Sequence, residues 1–447
     1  MDVDVVVLGL GPGGEDAARR LAEAGLSVVG VERRLVGGEC PYFGCVPSKM
    51  MIRAADALAE ARRVTGLAGA AEVRPDWSVV ATRVRDEATD DWDDTVAVER
   101  LDKAGVTVVK GAGRLDGPGR VVVGPETYDA ARGVVLNTGT EPAVPPVEGL
   151  AGTPYWTNRD ILRAEDLPAS MIVLGGGAIG LELAQVSSRF GVEVTVVEAA
   201  DRILAPEEPE SSRLLEGVLT REGVRVLTGA AVSRVVHADG RFTLTVGDEQ
   251  LSADRLLVAA GRRPNLADIG LETVGLDPAA RSVEVDDRMR AGERLWAVGD
   301  ITGKGAWTHM SMYQADIAVR DILGQDGPAA DYRAVGRVTF TDPEVGSVGM
   351  TERQARDAGL SVAVATTDLA SSSRGWIARA EGLIKLVADT DRGILVGATS
   401  IGPSGGEVLS MLATAVHAEV PIATLRSMHY AYPTYHRAVQ TALGELT

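Results

Sequence analysis

VDVVVLGLGPGGEDAARRLAEAGLSVVGVE, residues 3–32, decides the fold. Val3 to Leu8 read as a buried strand. Gly9, Gly11 and Gly14 follow in G-x-G-x-x-G spacing, and an amphipathic helix is expected from roughly Gly13 to Ala24. A second strand, LSVVGVE, ends at Glu32. Each part has a physical reason. Gly9 permits the tight turn, and Gly11 lets a pyrophosphate approach the backbone. Gly14 lets helix and strand pack closely, with the helix N-terminus facing the phosphates. A carboxylate at Glu32 suits a ribose diol. A merely tight turn would need none of the flanking strand, helix and acid.

The pattern returns in MIVLGGGAIGLELAQVSSRFGVEVTVVE, residues 171–198. Here a strand Ile172 to Leu174 leads into Gly175, Gly177 and Gly180, a helix runs to about Phe190, and a strand ends at Glu198. Two dinucleotide sites in one chain imply one cofactor passing electrons to another. A single-site dehydrogenase would need only one.

Composition narrows the class. With 447 residues the chain is long enough for two to four domains. A formal charge of -18 argues against nucleic acid and anionic membrane as partners. The apolar run Met171 to Val186 is too short for a membrane span and carries Glu182. The acidic start MDVDVVV lacks the basic region of a signal peptide, so a cytoplasmic protein is expected. Two cysteines, Cys40 and Cys45, make no disulfide framework. In the cytosol such a pair is more often catalytic, redox-sensing or metal-binding. A zinc site needs about four ligands, and there is no third cysteine, so no metal site is expected.

The cysteines sit in GGECPYFGCVPSK, residues 37–49. VPSK followed by MMIRAADALAEARR reads as a helix start with Pro47 in its first turn. That places Cys45 at the N-terminus, where the helix dipole favours a thiolate. Residues five apart on a regular helix are too distant for a disulfide, so Cys40 is expected on an irregular turn around Pro41 and Gly44. A strained, accessible disulfide there is labile. Further along, VVLNTGTEPAVPPVEG (134–149) and LLVAAGRRPN (256–265) read as crossings between domains. RLWAVGD (294–300) is a short buried strand, and from about residue 334 the texture becomes α+β.

Taken together, these motifs resemble the pyridine nucleotide–disulfide oxidoreductase family of lipoamide dehydrogenase, glutathione reductase and mercuric reductase. The likeness runs the whole length: both fingerprints, C-x4-C-V-P-S-K, N-T-G-T, A-G-R-R-P-N, A-V-G-D and F-T-D-P-E-V-G-S-V-G. It implies an α/β fold with two Rossmann-like dinucleotide-binding domains and a C-terminal α+β dimerisation domain. The linear order would be an FAD domain over 1–146, a nicotinamide-nucleotide domain over 147–262, a return to the FAD part over 263–333, and the dimerisation domain over 334–447. FAD would lie on the first fingerprint, with Gly38, Lys49, Thr138, Gly139, Gly299, Asp300, Thr308 and His309 around it. NADH, or NADPH, would lie on the second with Gly261. Cys40 would exchange with a small-molecule substrate, and Cys45 would lie against the flavin. Lys49 would pair with Glu182 beside the flavin N5. His309 would be a placed scaffold residue and not a proton shuttle. The partner would be a second copy, as a homodimer. At the end of the second fingerprint, a carboxylate at Glu198 hydrogen-bonds a ribose diol and repels a 2′-phosphate, which favours NADH although Arg202 is near.

The chain departs from this family near its end. The usual H-P-T followed by Glu is replaced in SMHYAYPTYHRAV. Tyr432 stands at the histidine position and Arg437 at the glutamate position. His429 and His436 are close but out of register, and Tyr430 also replaces a residue that is commonly His. A thiolate has a pKa of ~8.5, histidine ~6.5 and tyrosine ~10, so a proton from Tyr432 moves uphill by about 2 kcal/mol. Arginine cannot give one up. Standard disulfide reduction is therefore expected to be impaired unless His436 serves instead. Glu39 is a second departure, a negative charge where the family has threonine beside the FAD phosphates. The leading expectation is an FAD-dependent NAD(P)H oxidoreductase that reduces a Cys40–Cys45 disulfide and then an atypical acceptor. A quinone reductase acting straight from the flavin, or a flavin-bearing redox sensor, is the other reading.

Overall fold

The structure is a computed structural model and describes residues 1–446. Two compact units emerge. The first comprises residues Met1–Met50, Val79–Ala143 and Arg262–Asp331, and the second comprises Met51–Ser78, Val144–Gly261 and Tyr332–Thr447. The breaks at 143/144 and 261/262 fall inside the two Pro- and Gly-rich stretches read as crossings. Residues 51–78, which the linear order assigns to the first domain, group with the second unit. Among the described residues no helix is long and apolar enough to cross a membrane.

The first unit is built on a mostly parallel sheet in the order Leu295–Ala297, Glu126–Leu136, Asp2–Leu8, Val28–Glu32, Val106–Lys110, extended by antiparallel strands at its margins. Leu8 pairs with Val31 and with Leu136, and Leu136 with Ala297. The residues immediately beyond, Gly9, Glu32, Asn137 and Val298, therefore stand in a row at the C-terminal edge, where an open α/β sheet binds ligands. Val6, Val29, Val134 and Leu136 are sealed beneath that edge. Helix Pro12–Glu23 begins there, one residue past Gly11. Thr140–Pro142 and Arg262–Pro264 pair as a short antiparallel ribbon.

The second unit repeats the scheme with four parallel strands in the order Arg225–Leu227, Glu193–Val197, Ser170–Leu174, Arg255–Val258. The same register logic aligns Gly175, Glu198 and Ala259. A three-stranded meander over 232–253 packs against this sheet through Phe242 and Leu244. The C-terminal part is a five-stranded antiparallel sheet, Gly336–Thr339, Glu344–Gly349, Ile394–Gly402, Leu383–Asp389, Val362–Asp368. Its core takes helices Gly405–His417 and His436–Glu445 through Leu409, Leu412, Val439 and Leu443. Strand Leu383–Asp389 is buried at every residue. It nonetheless carries Lys385, whose ammonium meets Glu208 at 2.9 Å, Glu352 at 3.0 Å and Glu210 at 3.1 Å.

Candidate functional site

In the first unit the glycines of the first fingerprint are required by contact. Gly9 has φ +95°, and a Cβ there would stand 2.3 Å from the Asn137 carbonyl. A Cβ on Gly14 would stand 2.0 Å from the Gly9 carbonyl. Asn137, whose role the sequence did not disclose, clasps the turn. Its Oδ1 accepts the Gly14 amide at 2.8 Å, and its Nδ2 donates to Val298 O at 3.0 Å and to Ser311 Oγ at 3.2 Å. The fingerprint, the strand bearing Asn137 and helix Thr308–Ile322 are thus joined by one buried amide.

This edge fits a dinucleotide. Glu32 accepts the Leu10 amide at 2.9 Å with one oxygen and the Arg34 amide at 2.8 Å with the other, leaving each a further lone pair for a ribose hydroxyl. Gly38, with φ +70°, comes so close to Gly11 that a Cβ would lie 2.8 Å from its Cα. Thr138 Oγ1 is buried with no hydrogen-bond partner among the described residues, and Gly139 beside it borders open space. Beyond Gly299, Asp300 accepts the Thr140 hydroxyl at 2.6 Å. Arg262 donates to Thr140 Oγ1 at 2.7 Å and pairs with Glu39 at 3.2 Å. The charge of Glu39, which the sequence left without an account, is therefore answered inside the chain by Arg262. The residues present suit FAD.

The cysteines lie at the same edge. Cys45 opens helix Cys45–Leu67, and Ser48 N bonds to Gly44 O at 3.1 Å. Cys40 lies not on an irregular turn but in a single helical turn, Glu39–Phe43, which Gly44 ends with φ −139° and ψ −115°. That break brings two thiols five residues apart close enough for each to perturb the other. Both are free, Cys40 half-buried and Cys45 exposed. Cys45 is pulled down to about 6, first by the hydrogen bond from Cys40, then by the Thr308 hydroxyl at 3.4 Å and the charge of Lys49, against desolvation. Cys40 is pushed up, first by that shared hydrogen bond and then by burial. The pair is poised as one thiolate and one thiol. The largest cause is the neighbouring thiol, where the sequence had pointed to the helix start. Thr308 acts through its side chain, which sequence reasoning missed. His309 is exposed and stacked on Trp307, with ring centroids 6.0 Å apart.

In the second unit Gly175, with φ +118°, and Gly180 make the same tight turn, and a Cβ on Gly180 would lie 2.2 Å from the Gly175 carbonyl. Gly177 and Gly261 border open space. Glu198 accepts the Gly176 amide at 2.6 Å and the Ala200 amide at 2.7 Å. Arg202 turns inward to Leu204 O, Ala205 O, Glu207 O and Ser212 Oγ, so its guanidinium is engaged by its own loop. Glu182 is buried in helix Ala178–Arg189 and accepts the Phe340 amide at 2.8 Å. Lys49 belongs to the first unit and Glu182 to the second.

At the C-terminus Tyr432 is 69% exposed, its hydroxyl donates to Ser373 Oγ at 2.9 Å, and the Arg437 guanidinium lies over its ring at 5.8 Å. His436 begins the final helix. Tyr430 is a core residue whose hydroxyl donates to Leu425 O at 3.0 Å.

The chain matches the pyridine nucleotide-disulphide oxidoreductase family over residues 3–321 and the dimerisation domain of that family over 335–443. It is 33% identical to the dihydrolipoyl dehydrogenase of Thermus scotoductus, covering 99% of this chain and 97% of that protein. It is 32% identical to the mercuric reductase of Acidithiobacillus ferrooxidans, covering 100% of this chain and 83% of that one. Among solved structures, the Cu(II) complex of the HOCl-induced flavoprotein disulfide reductase RclA from Escherichia coli superimposes with a TM-score of 0.87 at 26% identity, covering 100% of both chains.

Proposed function

The chain belongs to the pyridine nucleotide-disulphide oxidoreductase family, an NAD(P)H-dependent, FAD-dependent disulfide oxidoreductase by class, and from that membership we propose that its dithiol serves an acceptor other than a standard small disulfide. FAD, held at this site, would supply a hydride acceptor for the nicotinamide and a two-electron donor for the Cys40–Cys45 disulfide. Gly9, Gly11, Gly14, Glu32, Gly38, Thr138, Gly139, Gly299 and Asp300 would hold it. Lys49 with Glu182 would orient the hydride step. Cys40, the protonated and less acidic thiol, would meet the acceptor, while Cys45 stays a thiolate. NADH is the donor in this reading, because Glu198 is set for a ribose diol and Arg202 is occupied within its loop. The protein would work in the cytoplasm as a homodimer through residues 335–443, with a second copy supplying the C-terminal segment.

Position 432 carries the proposal. A disulfide acceptor releases a thiolate that must gain a proton. A tyrosine phenol, as at Tyr432, is a poor source of it, by about 2 kcal/mol on ordinary side-chain values, and an arginine gives none. A thiophilic metal ion is an acceptor that releases no thiol. Soft cations favour thiolate ligands, and the relatives include a mercuric reductase and a reductase solved with Cu(II). Two electrons from one NADH reduce one Hg(II) to the metal or two Cu(II) to Cu(I), with the dithiol restored in each cycle. The test is anaerobic NADH oxidation by the FAD-loaded enzyme with lipoamide, glutathione disulfide, Hg(II), Cu(II) or benzoquinone, in wild type and Cys40→Ser. The metal ions should outpace the disulfides and lose their advantage in Cys40→Ser. Lipoamide turning over as fast as the best metal ion would refute the proposal. Benzoquinone turnover that dominates and survives Cys40→Ser would favour transfer directly from the flavin.

A further inference from the structure

Helix Ala178–Arg189 is buried on nearly every side, yet its buried residues include Glu182, Gln185 and Arg189, which are 5%, 4% and 3% exposed. Their spacing of three and four sets them in one row along the helix. All three engage the stretch Phe340–Asp342 of the same unit. Phe340 N donates to Glu182 Oε1 at 2.8 Å. Asp342 N donates to Gln185 Oε1 at 2.8 Å, and Gln185 Nε2 returns a bond to Asp342 O at 2.9 Å. Arg189 reaches Asp342 Oδ2 at 2.8 Å, Asp56 at 2.6 Å and Glu222 through a two-pronged contact at 2.7 and 3.0 Å. Gln185 also touches Glu222 at 3.2 Å, which closes the set.

We propose that Gln185 and Arg189 are positioning residues for Glu182. They fix the Phe340–Asp342 backbone so that the Phe340 amide holds the Glu182 carboxylate in one orientation. The proposal rests on the reading above, in which Glu182 orients the hydride step. The reasoning is geometric. A peptide strand held only at Phe340 N could pivot about that bond. The reciprocal pair on Gln185, two residues on, removes the pivot, and Arg189 anchors the side chain of the residue that Gln185 grips. Loss of the Gln185 amide would leave the half-buried Asp342 N–H and C=O without these partners, and the strand would shift to find others. A displacement of about 1 Å at an orienting group costs up to about a hundredfold in rate. Residues 335–443 are the dimerisation part, so the same contacts make Glu182's position depend on a segment that belongs to the assembly domain.

The experiment uses stopped-flow reduction of the FAD-loaded enzyme by NADH, without any acceptor. Gln185→Met, which keeps the shape and removes the bonds, should slow that phase about tenfold while FAD content and the titre of two thiols stay unchanged. Hydrogen exchange of the Phe340 amide should accelerate in Gln185→Met, with or without FAD. The double variant Glu182→Gln/Gln185→Met should be no slower than Glu182→Gln alone, because Gln185 acts only through Glu182. A general loss of structure would instead add to the first defect. If Gln185→Met does not fold, Gln185→Glu, of the same shape and with one acceptor retained, replaces it under the same expectations. A full rate in Gln185→Met beside a slow Glu182→Gln, or additive losses in the double variant, would overturn the inference and leave the functional reading intact. A full rate in Glu182→Gln would bring down both.

Discussion

The Thr308 hydroxyl lies 3.4 Å from the Cys45 sulfur, on the first residue of a helix more than 250 positions away in sequence. It ties the exposed thiol to the same helix that Asn137 joins to the fingerprint turn.

Removing that hydroxyl should make Cys45 less acidic. Cys45 titrates at about 6, so above pH 7 it is mostly thiolate. Thr308→Val deletes one group that lowers the value, and the midpoint must therefore rise. Cys40→Ala deletes the largest contributor and should raise it further. Alkylation by iodoacetamide followed from pH 4 to 9 reads the midpoint directly. A Thr308→Val profile that overlays wild type, or lies below it, would be inconsistent with the hydroxyl acting as a donor.

The substitution pair Tyr432→His and Arg437→Glu should raise lipoamide and glutathione disulfide reduction, by up to about thirtyfold from the proton-transfer difference alone. NADH-driven flavin reduction should not change, since it precedes any acceptor. Should wild type already reduce lipoamide efficiently and His436→Ala abolish that, a displaced histidine is the acid and the tyrosine argument fails.

NADH should be used at least about tenfold better than NADPH in kcat/KM, and Glu198→Ala should narrow the gap chiefly by improving NADPH. Both changes follow from removing a carboxylate that would face a 2′-phosphate while Arg202 stays bound to its loop. Initial rates across a range of each nucleotide suffice. A wild-type preference for NADPH would mean another cation governs the pocket.

Asn137→Ala should cost about 2–4 kcal/mol in unfolding free energy, because it strips partners from the buried Gly14 amide and the Val298 carbonyl together. FAD should also dissociate more readily on dilution, since the clasped turn is the one proposed to hold it. Urea unfolding and flavin fluorescence measure the two effects. Wild-type values for both would show that Asn137 is not the clasp.

Much of this was legible because fingerprints are local. Gly9, Gly11, Gly14 and Glu32 announce themselves within thirty residues, and Gly175 to Glu198 repeat the message. Cys40, Cys45 and the helix after them could be read the same way. The contacts of Asn137, Thr308, Arg262 and Gln185 could not. Thr308 and the motifs holding Asn137 and Arg262 stand out, but each of the four acts on a residue at least 120 positions distant, and nothing in its own neighbourhood discloses that partner. Helix Ala178–Arg189 did offer a signal. Glu182, Gln185 and Arg189 recur every third or fourth position along it, which means either a wet face or a built contact, and only the structure decides for the contact. The one-turn helix at Cys40 escaped because Pro41 within it and Gly44 after it read like an ordinary turn.

Lys385 and Arg189 are each a buried cation that meets three carboxylates, in the part of the chain that joins the strands after Tyr332 to the second fingerprint. The cost of stripping water from such ions falls as temperature rises, while apolar contact gains little. On heating, these two centres should therefore weaken less than the valine and leucine layers around them. The last amides to exchange in a warmed sample are then expected beside Glu208, Glu352 and Asp342. The charges that look expensive at room temperature become the fastenings that outlast the oil.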